Sequence, residues 1–343
     1  MADTARHGFV TGGTWCVDRN REVEFWPEED ALAEVLNEEA RGGGSACNFA
    51  LNMRKLDPRV PVETIGVVGD DENGHLLLAA ADRHRVERSQ LVFAGDLPTQ
   101  FTDAYTARRS GRRTHIFRAG SAAFLTPDHF DFARTRGRIL HLGLPGIHAR
   151  MDAPWGNLPN GWVATLRKAR AAGLTTNLEL CSIPARRLAS LVLPCLPELD
   201  VLIVNDAEIG AIAGKASVSG GETNITICVQ AAQYALARGA MQLVVVHFPR
   251  GAIAISRDGA IVTQPSVAVP VSAIAGANGA GDAFAAGFLY GVHESWPIGR
   301  SLAVAHAAAA ASLRGIGTTD TMEDWQSCLR LAYAWGWNVA IAA

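Results

Sequence analysis

A single carboxylate follows a run of residues that have almost no side chains. From Gly276 to Gly281 five of the six residues are Gly or Ala, and Asp282 comes next, at the start of an apolar helical pattern. Backbone N–H groups at a helix N-terminus bind anions, and small side chains let a phosphate approach closely. A carboxylate repels that anion, but it makes sense if it takes a proton from an attacking hydroxyl during phosphoryl transfer.

An alternative explanation of this stretch needs no ligand. Asp is a favoured N-cap residue, and the glycines could serve a tight turn. The local sequence leaves both explanations open. The chain has no G-x-x-x-x-G-K-[ST] segment, so a P-loop does not compete. A dinucleotide fold needs a G-x-G-x-x-G segment after an early strand and an acid about 20 residues further on, and we find no such pattern.

Short apolar runs alternate along the chain with longer helical patterns. Near-continuous apolar runs suit parallel strands buried on both faces, with the helices as crossovers. The pattern predicts an α/β fold with a mostly parallel central sheet flanked by helices. The runs are "GFVTGG", "ETIGVVG", "RILHLGL", "LTTNLEL", "LDVLIVN" and "MQLVVVHF".

Two regions, residues 19–41 and 97–119, depart from this alternation. Both carry strand-like patterns with turn signals and no clear crossover helix. The second predicts a hairpin of Phe101–Ala107 and Arg113–Phe117 that turns near Gly111. We expect these regions to form a small antiparallel β-sheet, a lid, that stands off the main sheet.

Composition excludes several classes of protein. The net charge of −3 gives no reason to expect nucleic acid or an anionic membrane as partner. The six cysteines are far apart and form no C-x-x-C pair, which is typical of reduced thiols. The N-terminal segment lacks the apolar core of a signal peptide, and the apolar C-terminal segment is too short to span a bilayer. We therefore expect a cytoplasmic protein.

The segment "AGANGAGDAF" resembles the D-T-x-G-A-G-D-x-F signature of the ribokinase-like (pfkB) carbohydrate kinases, and its core, Gly279–Asp282, matches in full. Because four motifs occur in the family's order and span nearly the whole chain, the resemblance implies one ribokinase-like kinase domain over residues 1–343. The other three are "RGGGSACN" with Gly43, Gly44 and Asn48, "GVVGDDENG" at Gly66–Gly74, and "NDAE" with Asn205 and Glu208.

The resemblance implies transfer of the γ-phosphoryl group of ATP to a hydroxyl of a sugar, a nucleoside or a similar molecule. Asp282 would then be the general base. The backbone N–H groups of Ala280, Gly281 and Asp282, which follow Gly279, would form the anion hole.

The N-x-x-E motif implies a site for Mg²⁺. Glu208, together with Asn205, would order the ion and its waters near the phosphates. The same pattern is a capping box, and most such patterns only cap helices. Both roles stay open on the sequence.

The resemblance assigns the hydroxyls of the acceptor to Asp18, Gly43, Gly44 and Asn48. Alternatives without a ligand exist here too, because Asp18 could begin a turn and Asn48 could cap a helix.

Three departures from the family pattern concern the nucleotide side. Gly276 and Ala277 replace the Asp-Thr of the signature, so the resemblance does not carry over the carboxylate that helps bind a monovalent cation. The usual T-L-G-x-x-G turn of the family is replaced by "HFPRG", His247–Gly251. His306 stands where the family commonly has an Asn near adenine. We assign these positions and Asn278 to the nucleotide pocket.

We predict a Mg²⁺- and ATP-dependent kinase that phosphorylates a primary hydroxyl of a sugar or a related polyol. One alternative is a nucleoside kinase of the same fold, with Trp15, Trp26 and Phe101 available as a slot for the base. Another is a ligand-binding regulator that has lost turnover. The apolar side chains of "QFTDAYTA" further predict a homodimer paired through the lid.

Overall fold

A computed structural model of the chain describes residues 6–341, apart from the side chain of residue 113. The strands in this range are β1 (Phe9–Gly13), β2 (Cys16–Val23), β3 (Val35–Gly43), β4 (Val62–Val68), β5 (Glu87–Phe93), β6 (Phe101–Ala107), β7 (Arg113–Arg118), β8 (Ile139–Gly143), β9 (Thr175–Leu178), β10 (Val201–Asn205), β11 (Val218–Ser219), β12 (Glu222–Thr223), β13 (Leu243–Phe248), β14 (Gly251–Ser256) and β15 (Ile261–Pro265). The α-helices are α1 (Ser45–Leu56), α2 (Glu72–Arg83), α3 (Ala149–Asp152), α4 (Gly161–Ala171), α5 (Ala185–Val192), α6 (Asp206–Ala213), α7 (Ile225–Arg238), α8 (Ala280–His293), α9 (Ile298–Ser312) and α10 (Trp325–Trp335).

The main sheet has the strand order β15-β14-β13-β10-β9-β8-β1-β4-β5. All pairs from β13 to β5 are parallel, and β14 and β15 add an antiparallel edge. The six apolar runs are the parallel strands β1, β4, β8, β9, β10 and β13, so the predicted α/β fold is confirmed. The edge strands β5 and β15 consist mostly of exposed and partly buried residues, which makes their apolar signal weaker.

The lid is a separate four-stranded sheet with the order β3-β2-β6-β7. The predicted hairpin is confirmed, because β6 and β7 pair antiparallel across the turn. Strands β2 and β3 also pair antiparallel, whereas the central pair of β2 and β6 is parallel. That parallel pair joins the two separate segments of the chain into one lid.

Helix α8 is held in place by close packing against the Ala-rich helix α9. A Cβ atom at Gly287 would lie 2.8 Å from the Cα of Ala305, and one at Gly291 would lie 2.2 Å from the hydroxyl of Ser301. Such close approach leaves little freedom for α8 to shift, because the interface has no spare volume. The start of α8 is therefore fixed relative to the sheet.

No helix within residues 6–341 is long and apolar enough to cross a membrane.

Candidate active site

The glycine-rich stretch ends in a helix start that exposes backbone N–H groups. Gly279 is the N-cap of α8 and has a φ of 75°, in the left-handed region that favours glycine. Asp282 is the third residue of the helix, so the alternative in which it is the N-cap is wrong. The N–H groups of Ala280, Gly281 and Asp282 have no acceptor within their own helix, because they belong to its first turn.

Three cavities meet at this helix start. Ala280 and Gly281 line a cavity of about 720 Å³. Gly279, Gly281 and Asp282 line a polar cavity of about 180 Å³. Asn278, Gly279 and Asp282 line a third, of about 570 Å³. We call them the donor cavity, the central cavity and the acceptor cavity, and the first turn of α8 forms part of the wall of all three.

Asp282 is oriented by an amide from helix α1. Asn48 Nδ2 donates a hydrogen bond of 3.0 Å to Asp282 Oδ2, and the Thr318 hydroxyl donates to Asn48 Oδ1 at 2.7 Å. Thr318 therefore determines which end of the amide faces Asp282. Gly44, not Asn48, is the N-cap of α1, so the capping alternative for Asn48 is wrong.

The central cavity contains a second carboxyl group that the sequence did not reveal. Glu179, directly after β9, lies within hydrogen-bonding reach of the Asp282 carboxyl group. Its Oε2 contacts Nε2 of the buried His141. The His141 ring stacks on Phe49 at 4.1 Å and accepts a hydrogen bond of 3.0 Å from Asn177 Nδ2 through Nδ1. One signal was available, because polar residues that follow parallel strands gather at the ligand-binding edge of a sheet.

Burial raises the pKa values of these acids. Burial raises the pKa of Asp282 well above its ordinary value, and the neighbouring charge of Glu179 adds to the effect. Burial likewise raises the pKa of Glu179 to about 7. A carboxyl group with a raised pKa is a stronger base when it is ionised, and it becomes protonated at a higher pH than an ordinary Asp.

The residues assigned to acceptor hydroxyls lie together at the acceptor cavity. Asp18, Gly44 and Asn48 line it. Gly43 lies against Asp18, and a Cβ atom at position 43 would come within 2.1 Å of Asp18 Oδ2. A glycine at position 43 therefore leaves room for this carboxylate, which stands on β2 rather than in a turn.

The donor cavity is flanked by two neutral imidazoles. The rings of His247 and His306 lie 4.8 and 4.9 Å from the Phe284 ring, and all three residues line the cavity together with Asn205. Burial lowers the pKa of His247 to about 4 and that of His306 to about 3. Both rings are therefore uncharged at neutral pH, and they offer flat, weakly polar walls.

Two residues assigned to the nucleotide pocket lie elsewhere. Gly251 is the first residue of β14, and a Cβ atom there would collide with Ile341. It does not line the donor cavity, because the chain has already turned into the strand. Asn278 lines the acceptor cavity instead of the donor cavity, since it precedes the left-handed residue at which the chain turns into α8.

The aromatic slot proposed for a nucleobase is also wrong, because none of its three residues lines the acceptor cavity. Trp15 is fully buried in the core. Trp26 packs edge-on against Tyr105 in the lid, and the Phe101 ring is covered by the Arg19 guanidinium at 4.2 Å.

Glu208 closes a capping box and also reaches the central cavity. Asn205 N–H donates to Glu208 Oε2 at 2.9 Å, and Glu208 N–H donates to Asn205 Oδ1 at 2.8 Å. Glu208 lines the central cavity, and burial raises its pKa to about 7. The two roles left open by the sequence are therefore compatible, since one oxygen caps the helix while the carboxyl group still lines the central cavity.

Replacing Glu208 by Gln separates these roles. Gln also serves in a capping box, so we expect the thermal unfolding midpoint to stay nearly unchanged. If the carboxylate orders Mg²⁺, the Mg²⁺ concentration for half-maximal rate should rise several-fold, with less effect on the KM of the acceptor. Steady-state rates over a Mg²⁺ titration measure this. An unchanged Mg²⁺ dependence would leave Glu208 with the capping role alone.

The stretch that replaces the Asp-Thr of the family signature has no carboxylate at its first position, Gly276. A side chain at position 276 would meet the carbonyl oxygen of Gly315 at 3.1 Å, so the small residue allows a close backbone approach. Asp320, a candidate for a replacement acid, lies 3.8 Å from the Arg41 guanidinium, which balances its charge. A cation beside position 276 would meet the neutral carbonyl oxygen of Gly315, next to a helix start that already favours anions.

We therefore expect activity to be nearly independent of K⁺. The rate in K⁺ should exceed that in tetramethylammonium by less than about threefold at matched ionic strength, a difference in barrier under about 0.7 kcal/mol. Initial rates over a K⁺ titration check this. Saturable activation of about tenfold would show that other ligands hold the ion.

Fold and site together define a ribokinase-like α/β protein, in which a small lid covers the carboxyl edge of a large sheet. The chain belongs to the pfkB family of carbohydrate kinases, whose profile matches residues 9–325. An ATP-dependent ribose-1-phosphate kinase of Halopiger xanaduensis is 28% identical over 84% of this chain and 86% of that protein. Adenosine kinase of Saccharomyces cerevisiae is 25% identical over 84% and 82%. The structure of Arabidopsis thaliana ribokinase complexed with ribose and ATP superposes with a TM-score of 0.75 at 19% identity, covering 95% of this chain and 99% of that one.

Proposed function

We propose that the protein transfers the γ-phosphoryl group of ATP to a primary hydroxyl of a sugar or of the sugar part of a larger molecule. The observation that carries the proposal is the position of the α8 start between the donor and acceptor cavities. The exposed N–H groups of residues 280–282 suit a phosphoryl group there, and Asp282 adjoins the acceptor side.

The proposed chemistry uses one proton transfer and one displacement. The acceptor hydroxyl donates its proton to Asp282 as its oxygen attacks the γ-phosphorus, and the bond to the β-phosphate oxygen breaks to release ADP. Asn48 keeps Asp282 oriented toward the acceptor, and the N–H groups of Ala280 and Gly281 stabilise the charge on the phosphoryl oxygens.

The donor set of the central cavity fits Mg²⁺, a hard cation that prefers oxygen ligands and keeps several waters. Glu208, Glu179 and Asn205 line this cavity, as does Asn177, whose buried Oδ1 has no hydrogen-bond partner among the described residues. No group of three His, Cys, Asp or Glu residues in the described range is close enough to bind a metal ion directly. We infer that these residues hold the ion through water, and that the bound ion would neutralise charge on the phosphates.

An assay of ADP release tests the proposal. We expect ATP consumption that depends on an added acceptor, in a panel of free sugars, sugar acids, sugar phosphates and nucleosides. The Asp282→Asn variant gives the background rate. Acceptor-dependent ADP release that is the same in this variant would contradict the proposal, and so would the absence of any acceptor-dependent release.

We further propose a cytoplasmic homodimer. All six cysteines are free thiols, which fits a reducing compartment. At the β3 edge of the lid, Leu32 and Val35 are exposed to the extent of 92% and 46%, and such apolar area beside an edge strand is usually covered. We expect light scattering to give twice the mass of the chain at micromolar concentration, and a monomer there would exclude the lid dimer.

A further inference from the structure

The acceptor cavity has an apolar wall that a simple sugar would leave uncovered. Four apolar side chains line it and are exposed or partly buried: Phe117 of the lid, Leu144 and Ile147 after β8, and Ile183 after β9. Two of these loops touch, because a Cβ atom at Gly146 would lie 2.5 Å from Ile183 Cδ1. The loop residues therefore form one continuous apolar patch. Exposed patches of this kind inside a cleft mark the binding of an apolar ligand surface.

The register of the lid gives the distance between the hydroxyl-binding side and this wall. Asp18 pairs with Thr102, Thr102 pairs with Phe117, and all three line the cavity. The two strand spacings between Asp18 and Phe117 amount to about 10 Å. These three residues therefore extend from a carboxylate that suits hydroxyl groups to an aromatic ring that suits a flat apolar surface.

Two polar side chains that line the cavity contain buried atoms without a described hydrogen-bond partner. Ser45 and Gln100 are 2% and 3% exposed and line the cavity. Ser45 Oγ and Gln100 Oε1 have no hydrogen-bond partner among the residues that the structure describes. Buried polar atoms are normally satisfied, so these two point to a ligand with several hydrogen-bonding groups.

Three acids are among the described residues that line the cavity. Asp18, Glu179 and Asp282 line it, and the only described lining residue that could carry a positive charge is His115. No described Lys or Arg side chain lines this cavity. An anionic group placed beside Glu179 and Asp282 would meet two further acids, which favours an uncharged acceptor there.

The size of the cavity agrees with a larger acceptor. A water molecule in the liquid occupies about 30 Å³. A hexose has about twelve non-hydrogen atoms, so at that volume for each atom it would occupy at most about 360 Å³. The cavity holds about 570 Å³. At the same volume for each atom, a nucleoside with about nineteen such atoms would occupy up to about 570 Å³.

We propose that the acceptor is a nucleoside, an uncharged sugar that carries a planar aromatic base, with the base against Phe117, Ile147 and Ile183. This inference rests on the proposed kinase function and specifies its acceptor. In this arrangement the 5′-hydroxyl meets Asp282 and the ribose hydroxyls meet Asp18. The lid residue Phe117 stacks on the base, so it determines the preference for nucleosides over free sugars.

The test compares purine and pyrimidine nucleosides with free ribose and ribose 1-phosphate in the ADP-release assay. We expect kcat/KM for at least one nucleoside to exceed that for ribose and for ribose 1-phosphate by at least tenfold. Phe117→Ala should raise the KM of that nucleoside about tenfold and leave the KM of ribose within about twofold, because base–aromatic stacking is lost only for the nucleoside.

Ile116→Ala is the matched control. Ile116 lies on the opposite face of β7, is 54% exposed and does not line the cavity, so its replacement should change neither KM. A preference for ribose or ribose 1-phosphate would overturn the nucleoside inference and leave the kinase function standing. An equal effect of Phe117→Ala on nucleoside and ribose would also overturn it. Absence of ADP release with every acceptor would defeat the kinase function itself.

Discussion

Replacement of Asp282 by Asn should lower kcat by about 10²–10⁴-fold without unfolding the protein. The loss follows because Asn cannot take the proton of the attacking hydroxyl, and general-base catalysis contributes about that factor. The fold should survive because Asn has almost the same volume and its Oδ1 can still accept from Asn48 Nδ2. Steady-state turnover with the best acceptor measures the first effect, and the thermal unfolding midpoint measures the second.

Asp324→Asn provides the matched control. Asp324 caps α10 by accepting a hydrogen bond of 2.9 Å from Ser327 N–H, and it lines none of the three cavities. The control removes one carboxylate from a helix start, as the test variant does, and Asn caps as well as Asp. Its turnover should stay within about twofold of the parent protein. A folded Asp282→Asn variant that keeps more than a tenth of its turnover would contradict the role of general base.

The strands of the main sheet and the helix start were predictable because both leave local signals. A strand buried on two faces needs a continuous apolar run, as in β10 and β13. The start of α8 needs small residues, since Gly279 adopts a left-handed conformation and lies against Thr318. Each signal lies within a few residues of the chain, so one sequence is enough to read it.

The residues that contact Asp282 were harder to predict from the sequence. Asn48 lies 234 positions away along the chain. Glu179 follows a short strand, and the polar sequence at the end of that strand does not differ from that of an ordinary loop. Their contact with Asp282 depends on the order in which the strands assemble, which no local pattern contains. The same limit explains the misplaced aromatic slot, since the burial of Trp15 and the covering of Phe101 follow from tertiary packing.

The capping motif of α6 illustrates why a local explanation and a functional one need not compete. Glu208 satisfies the N–H of Asn205 through one oxygen and still lines the central cavity. A capping carboxylate suits the phosphate site that we propose, because the cap holds the side chain rigidly without further packing. The burial that raises its pKa also places a second acid close to Glu179, so a bound cation would relieve repulsion between them.

Replacement of Gly279 by Ala should reduce kcat by at least about 100-fold, because it displaces the first turn of α8. A Cβ atom at this position would come within 2.7 Å of the Thr318 side chain and backbone, and residue 279 has a φ of 75°. Relief of that clash moves the N–H groups that we propose bind the phosphoryl group, and loss of one such donor costs about 10²–10³-fold in rate. Gly214→Ala is the control, since Gly214 has a similar φ of 65° with no atom within 4 Å of a Cβ there. The control has the same backbone strain and should keep its turnover, so a Gly279→Ala variant with more than half of the parent kcat would show that the helix start does not hold the transferred group.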